Sequence, residues 1–150
     1  MWRLAATFFG CGAIPRAPGT FASAVAASIA FVPGMYAARG LPMLGFGVAA
    51  YVLSVVAARK LFGDRVGQED PSWFTLDEAC GMWLALWRPE TPRPVDVLLA
   101  FVLFRVLDIA KPWFIRTSQE LPGGHGIVMD DALAGIAACG LGIVAGGFLP

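Results

Sequence analysis

Leu41-Pro42-Met43-Leu44-Gly45-Phe46-Gly47-Val48-Ala49-Ala50-Tyr51-Val52-Leu53-Ser54-Val55-Val56-Ala57-Ala58 is a run of eighteen residues without a charge, closed by Arg59-Lys60. As a helix, such a run is long and apolar enough to cross a bilayer. The two cations suit a helix C-terminus or a membrane boundary. Working outward, Phe62 to Phe74 is the most polar stretch and reads as a loop or a short helix in water. A helix from about Leu76 to Trp87 follows, then the proline-rich break Pro89 to Pro94, and then a helix from Val95 to Lys111 stopped at Pro112. Beyond the polar link Arg116 to Gly126, residues Asp130 to Phe148 make a last helix rich in small residues suited to close packing. Toward the N-terminus, Pro33-Gly34 ends an apolar helix over Phe21 to Val32, for which Thr20 is the expected N-cap. Before it, residues 10 to 20 form a glycine- and proline-rich loop.

No β-type alternation of convincing length appears. The fold class is therefore all-α, a single domain over 1–150 with three to five spanning or membrane-embedded helices around an acidic site. At 57% hydrophobic, 15% charged and a mean hydropathy of +0.68, the chain departs from ordinary soluble composition. That excludes disorder and leaves an integral membrane protein, favoured by hydropathy, or a soluble helical protein with an unusually apolar core. Zero net charge leaves no basic footprint for nucleic acid. Cys11, Cys80 and Cys139 lack metal-ligand or disulfide-framework spacing and read as small apolar fillers. The apolar run Leu4 to Phe9 is short for a signal peptide.

Against this background the charges stand out. Asp77-Glu78 and Asp130-Asp131 each lead into an apolar helix, and burying an unpaired carboxylate costs several kcal/mol or forces protonation. Local structure offers one account: Thr75-x-x-Glu78 has capping-box spacing, and acidic residues in a first helical turn suit the macrodipole. A bound cation offers another. Gly81 lies four residues beyond Asp77, and Gly135 four beyond Asp131, each leaving room on the carboxylate's face for a ligand or another backbone. Arg105, Asp108 and Lys111 recur at i, i+3, i+6 in an otherwise apolar helix, either as a surface ion-pair ladder or as functional charges.

Five carboxylates with nearby bases describe a hard-cation site better than a zinc site, and Mg²⁺ commonly bridges carboxylates to substrate phosphate. The expected chemistry is metal-assisted hydrolysis of a phosphate ester, with Arg105 and Lys111 on phosphate oxygens. Cysteine-phosphatase loops (Cys-x5-Arg) and the Asp-x-Asp signature are missing. A single histidine, His125, excludes two-histidine lipid phosphatases and reads as a polar loop residue.

Four motifs in order carry a resemblance. They are Phe9-Gly10-Cys11-Gly12 with Pro18-Gly19-Thr20; Asp77-Glu78 with Gly81-Met82-Trp83; Phe104-Arg105 through Asp108 to Lys111-Pro112; and Gly123-Gly124 with Gly126-Ile127 and Asp130-Asp131. Over nearly its whole length the chain resembles the phosphatidylglycerophosphatase A family. These are bacterial membrane enzymes that convert phosphatidylglycerophosphate to phosphatidylglycerol and phosphate. The resemblance implies Mg²⁺ dependence, with Asp77, Glu78, Asp108, Asp130 and Asp131 as the metal-binding and catalytic set. It also implies Thr20, Arg105 and Lys111 on the substrate, and a multi-pass place in the cytoplasmic membrane. Departures from the family pattern are Ala22 before Ser23, Phe114 after Trp113, and His125 where an apolar residue is expected. The alternative is a cation-binding or transporting membrane protein using the same carboxylates.

Overall fold

The computed structural model describes residues 1–63 and 71–146, with their side chains except at 37–39 and 146. Among these residues all regular structure is helical. In chain order the α-helices are α1 (Trp2–Ala6), α2 (Pro18–Ser28), α3 (Ala37–Phe62), α4 (Leu76–Ala85), α5 (Pro94–Ala110), α6 (Trp113–Thr117) and α7 (His125–Gly146), joined by short 3-10 turns. Most of the polar stretch expected as a loop, residues 64–70, and the last four residues lie outside the described part.

The centre of the molecule is α4, which packs against α2, α3, α5 and α7. Nine of its ten residues are buried, Asp77 among them. At a rise of about 1.5 Å per residue it is only ~15 Å long, too short to cross a bilayer, and α5 at ~25 Å also falls short of the ~30 Å core. Two helices are long and apolar enough to cross, Gly40–Phe62 and His125–Ala145. The expectation of three to five spanning helices therefore narrows to two candidates among the described residues. Large apolar side chains nevertheless stand exposed on several helices, including Val48, Val52 and Leu53 of α3, Leu98, Val102, Val106 and Ile109 of α5, and Ile136, Leu141 and Val144 of α7. Surfaces of this kind mark a membrane or a partner.

Three local expectations change. Thr75 stands before α4, but its buried hydroxyl has no hydrogen-bond partner among the described residues, so the capping box does not form. Thr20 is not an N-cap either; α2 starts two residues earlier at Pro18, whose fixed φ suits a first helical position. The last helix starts at His125 rather than Asp130, immediately after two left-handed glycines, Gly123 (φ 65°) and Gly124 (φ 76°). Asp130 and Asp131 thus fall in the second turn, beyond the reach of the terminal dipole. His125 opens this helix instead of lying in a loop, and its Nδ1 shares a 2.8 Å hydrogen bond with the Tyr51 hydroxyl.

The thiols pack as expected. Cys80 and Cys139 are buried, and their sulfurs donate to the carbonyls of Gly47 and Trp87. All three cysteines are free.

Candidate active site

Glycine packing creates the site. A Cβ placed on Gly135 would overlap the Gly81 carbonyl, and one on Gly81 would crowd the Asp131 carbonyl and the Phe104 ring. Only because both side chains are absent do α4 and α7 approach this closely. Asp77 lies one turn before Gly81, and Asp131 one turn before Gly135, so the same crossing sets their carboxylates face to face. The space noted in the sequence beside each carboxylate is filled by the other helix's backbone. Gly19, in the first turn of α2, plays a similar part: a Cβ there would overlap the Glu78 carboxylate. Glu78 therefore lies against the positive end of α2, which favours an anion.

Oxygen atoms of Asp77, Glu78 and Asp131 all fall within 4.8 Å of one another. Asp77 and Asp131 are buried, at 3% and 5% exposure; Glu78 is half-buried, but its Oε2 is buried with no hydrogen-bond partner among the described residues. Three converging hard donors, one with an unsatisfied oxygen, fit a hard divalent cation. Oxygens around one small divalent cation at about 2.1 Å stand about 3–4 Å apart, a spacing close to that of this cluster. Burial of the Glu78 carboxylate, aided by the nearby Asp108 charge, pushes its titration up to about 7.

All five predicted carboxylates line one cleft of about 310 Å³, with Lys111, Ile109, Phe74 and Ile127 completing much of its wall. They do not play equal parts. Asp130, 2% exposed, accepts from Lys111 Nζ at 2.7 Å and Gln119 Nε2 at 2.8 Å through Oδ2, and from the Asp131 backbone N–H at 3.0 Å through Oδ1. Asp108 accepts from Arg105 Nη1 at 2.6 Å and lies against Asp131 and Glu78. Of the two readings of the α5 charges, a surface ladder or functional groups, the ladder's Arg105–Asp108 step is present. Arg105 pairs with Asp108, and Lys111 reaches across to Asp130 of α7. Lys111 is the left-handed C-cap of α5 (φ 42°), a conformation costing a non-glycine residue roughly 1–2 kcal/mol, with Pro112 preventing continuation.

Thr20 and Arg105 lie outside the cleft lining, on a neighbouring groove between α2 and α5. Buried Arg105 Nε has no hydrogen-bond partner among the described residues. Gln119 was not legible as a site residue, since it sits in a polar link with nothing in its spacing to tie it to Asp130. His125 stays outside the cleft lining.

The family model described as phosphatidylglycerophosphatase A matches residues 4–145. A protein of Escherichia coli named phosphatidylglycerophosphatase A is 34% identical over 149 residues, covering 93% of this chain and 80% of its own. Its namesake in Haemophilus influenzae is 34% identical over 137 residues, 90% of this chain and 82% of its own. A Bacteroides thetaiotaomicron protein, provisionally named phosphatidylinositol-3-phosphatase, is 39% identical over 139 residues, 89% of this chain and 86% of its own. No solved structure matches. With the family model spanning almost the whole chain and its carboxylates gathered in one cleft, this protein is a phosphatase and belongs to the phosphatidylglycerophosphatase A family.

Proposed function

We propose that the chain hydrolyses the terminal phosphate of phosphatidylglycerophosphate, using Mg²⁺ held by Asp77, Glu78 and Asp131. The observation that carries this reading is the convergence of those three carboxylates in a cleft that also contains Lys111. Bound there, Mg²⁺ supplies Lewis-acid polarisation of the phosphoryl group and a lowered pKa for water. Lys111 neutralises a phosphate oxygen, and Asp130, steadied by Gln119, fixes where the ammonium stands. Asp108, in the cleft wall beside the cation ligands, is placed to take the proton of the attacking water. Arg105, tied to Asp108, stands with Thr20 in the lining of the adjacent groove, where both would meet the substrate beyond its phosphate. The chain lies in the bacterial cytoplasmic membrane, crossing it by α3 and α7, with the exposed apolar faces of α3, α5 and α7 toward lipid. The relatives' names concern two different lipids that share a phosphate monoester, so a phosphoinositide is the second substrate to try.

The test is phosphate release by purified protein in mixed micelles, with Mg²⁺ or excess chelator, from phosphatidylglycerophosphate and phosphatidylinositol 3-phosphate. Mg²⁺-dependent release, faster from the first, is expected. Release from the second alone reassigns the substrate, and no release from either by folded protein overturns the proposal.

A further inference from the structure

Beside the cleft, α2 and α5 enclose a groove of about 470 Å³ lined by Thr20, Phe101, Val102, Arg105, Val106, Ile109 and Ala110. Apart from Thr20 and Arg105 its wall is carbon. It joins the cleft physically: Ile109, 71% exposed, lines both, as a ridge between them. Arg105 links them chemically, since it stands in the groove while its guanidinium holds Asp108 of the cleft. A polar cavity that takes a phosphate and an apolar groove one side chain away match the two ends of one molecule, a lipid phosphate.

We infer that this groove seats an acyl chain of the lipid phosphate, with the glycerol passing over Ile109 while the phosphate enters the acidic cleft. This rests on the phosphatase reading of the cleft. Arg105 lines the groove beside the cleft, on the path that the ester and glycerol oxygens would take from the chain to the phosphate. A lipid chain explains this arrangement better than a second protein chain, because the apolar groove runs into the acidic cleft across the shared Ile109, as the apolar and phosphate ends of one molecule require.

The probe is phosphatidic acid with a photoactivatable diazirine in mid-acyl chain, irradiated with the Mg²⁺-loaded protein in micelles. Phosphatidylcholine carrying the same diazirine is the control. Phosphatidic acid should label the segment Phe101–Ala110 several-fold above phosphatidylcholine. Val106→Trp, which fills the groove, should reduce that labelling by about tenfold, equivalent to ~1.4 kcal/mol. Leu98→Trp, an equally exposed change on α5 outside the groove, should leave it unchanged. Equal labelling by both lipids would reveal only bulk lipid and overturn the inference. So would labelling that Val106→Trp does not alter, or a dimer that Val106→Trp dissociates. Phosphate release on the same preparations separates the two readings. Release without groove labelling overturns the chain site alone, whereas selective labelling without release overturns the phosphatase assignment and leaves a lipid-phosphate site.

Discussion

Asp77-Glu78 and Asp130-Asp131 look like copies in the sequence: two adjacent acids, an apolar helix, and a glycine one turn on. In the structure they divide differently. Both members of the first pair join the carboxylate cluster at the start of α4. Of the second pair only Asp131 does so, while Asp130 is occupied by Lys111 and Gln119. The difference lies in what each neighbourhood supplies. Around Glu78 there are other carboxylates, the N-terminus of α2 and, already held by Asp108, the Arg105 guanidinium; Asp130 is bonded directly by an ammonium and an amide. A carboxylate given protein donors becomes a positioning group. Carboxylates crowded against one another are more stable as anions when a cation lies among them.

The largest effect should come from breaking the cluster. Asp77→Asn or Asp131→Asn is expected to reduce phosphate release by about 10³-fold or more, at least ~4 kcal/mol of barrier, with the protein still folded and extractable from membrane. Activity near wild type in either variant would contradict the assigned site. Asp108→Asn should lower turnover by about 10²-fold while leaving cation affinity within a few-fold, if it takes the proton of the attacking water as proposed. On the other side of the comparison, Asp130→Asn and Lys111→Ala should each cost about 10–100-fold. Because the two residues act as one unit, the double variant should be little worse than either single change, a non-additivity that a kinetic double-mutant cycle would read.

A smaller effect tests how the pairs are brought together. Gly135→Ala drives a methyl into the Gly81 carbonyl and should cost about 1–3 kcal/mol of stability, with weaker cation binding as the helices separate. Thermal melting with and without Mg²⁺ would show both losses. The most modest effect concerns Glu78. With no cation bound, the folded protein keeps a proton up to about 7 that an unfolded chain releases near 4.5. Between those values the unfolded state binds fewer protons, so cation-free stability should fall as pH rises through this window and level off above it. Glu78→Gln should flatten that slope in a melting series with chelator; an unchanged slope would assign the proton elsewhere.

Much of this site was legible before any coordinates. The carboxylates, Arg105 and Lys111 stood out because charge in an apolar chain is conspicuous, and the helical class followed from the lack of β-type alternation. What spacing could not reveal was tertiary. Gly81 and Gly135 each signalled space, but only their mutual packing shows that the space belongs to the other helix. The start of α7 was misplaced because Gly126 to Val128 carry no capping signal, and that error made the macrodipole look relevant to Asp130 and Asp131. Thr75 had the right spacing for a cap, yet its hydroxyl is buried without the expected bond. Gln119 was invisible because its bond to Asp130 bridges an irregular link and a helix. Hydropathy could not separate helices long enough to span from α4, which is apolar and buried at the centre of the fold.

The central claim is that α4 and α7 together form one cation site. Titrating Mg²⁺ by calorimetry into wild type, Asp77→Asn, Asp131→Asn and the double variant tests it most directly. The account predicts one site in the wild type, lost in each single variant, with no further loss in the double. Partial binding retained by each single variant and lost only in the double would mean separate sites on the two helices and would contradict it.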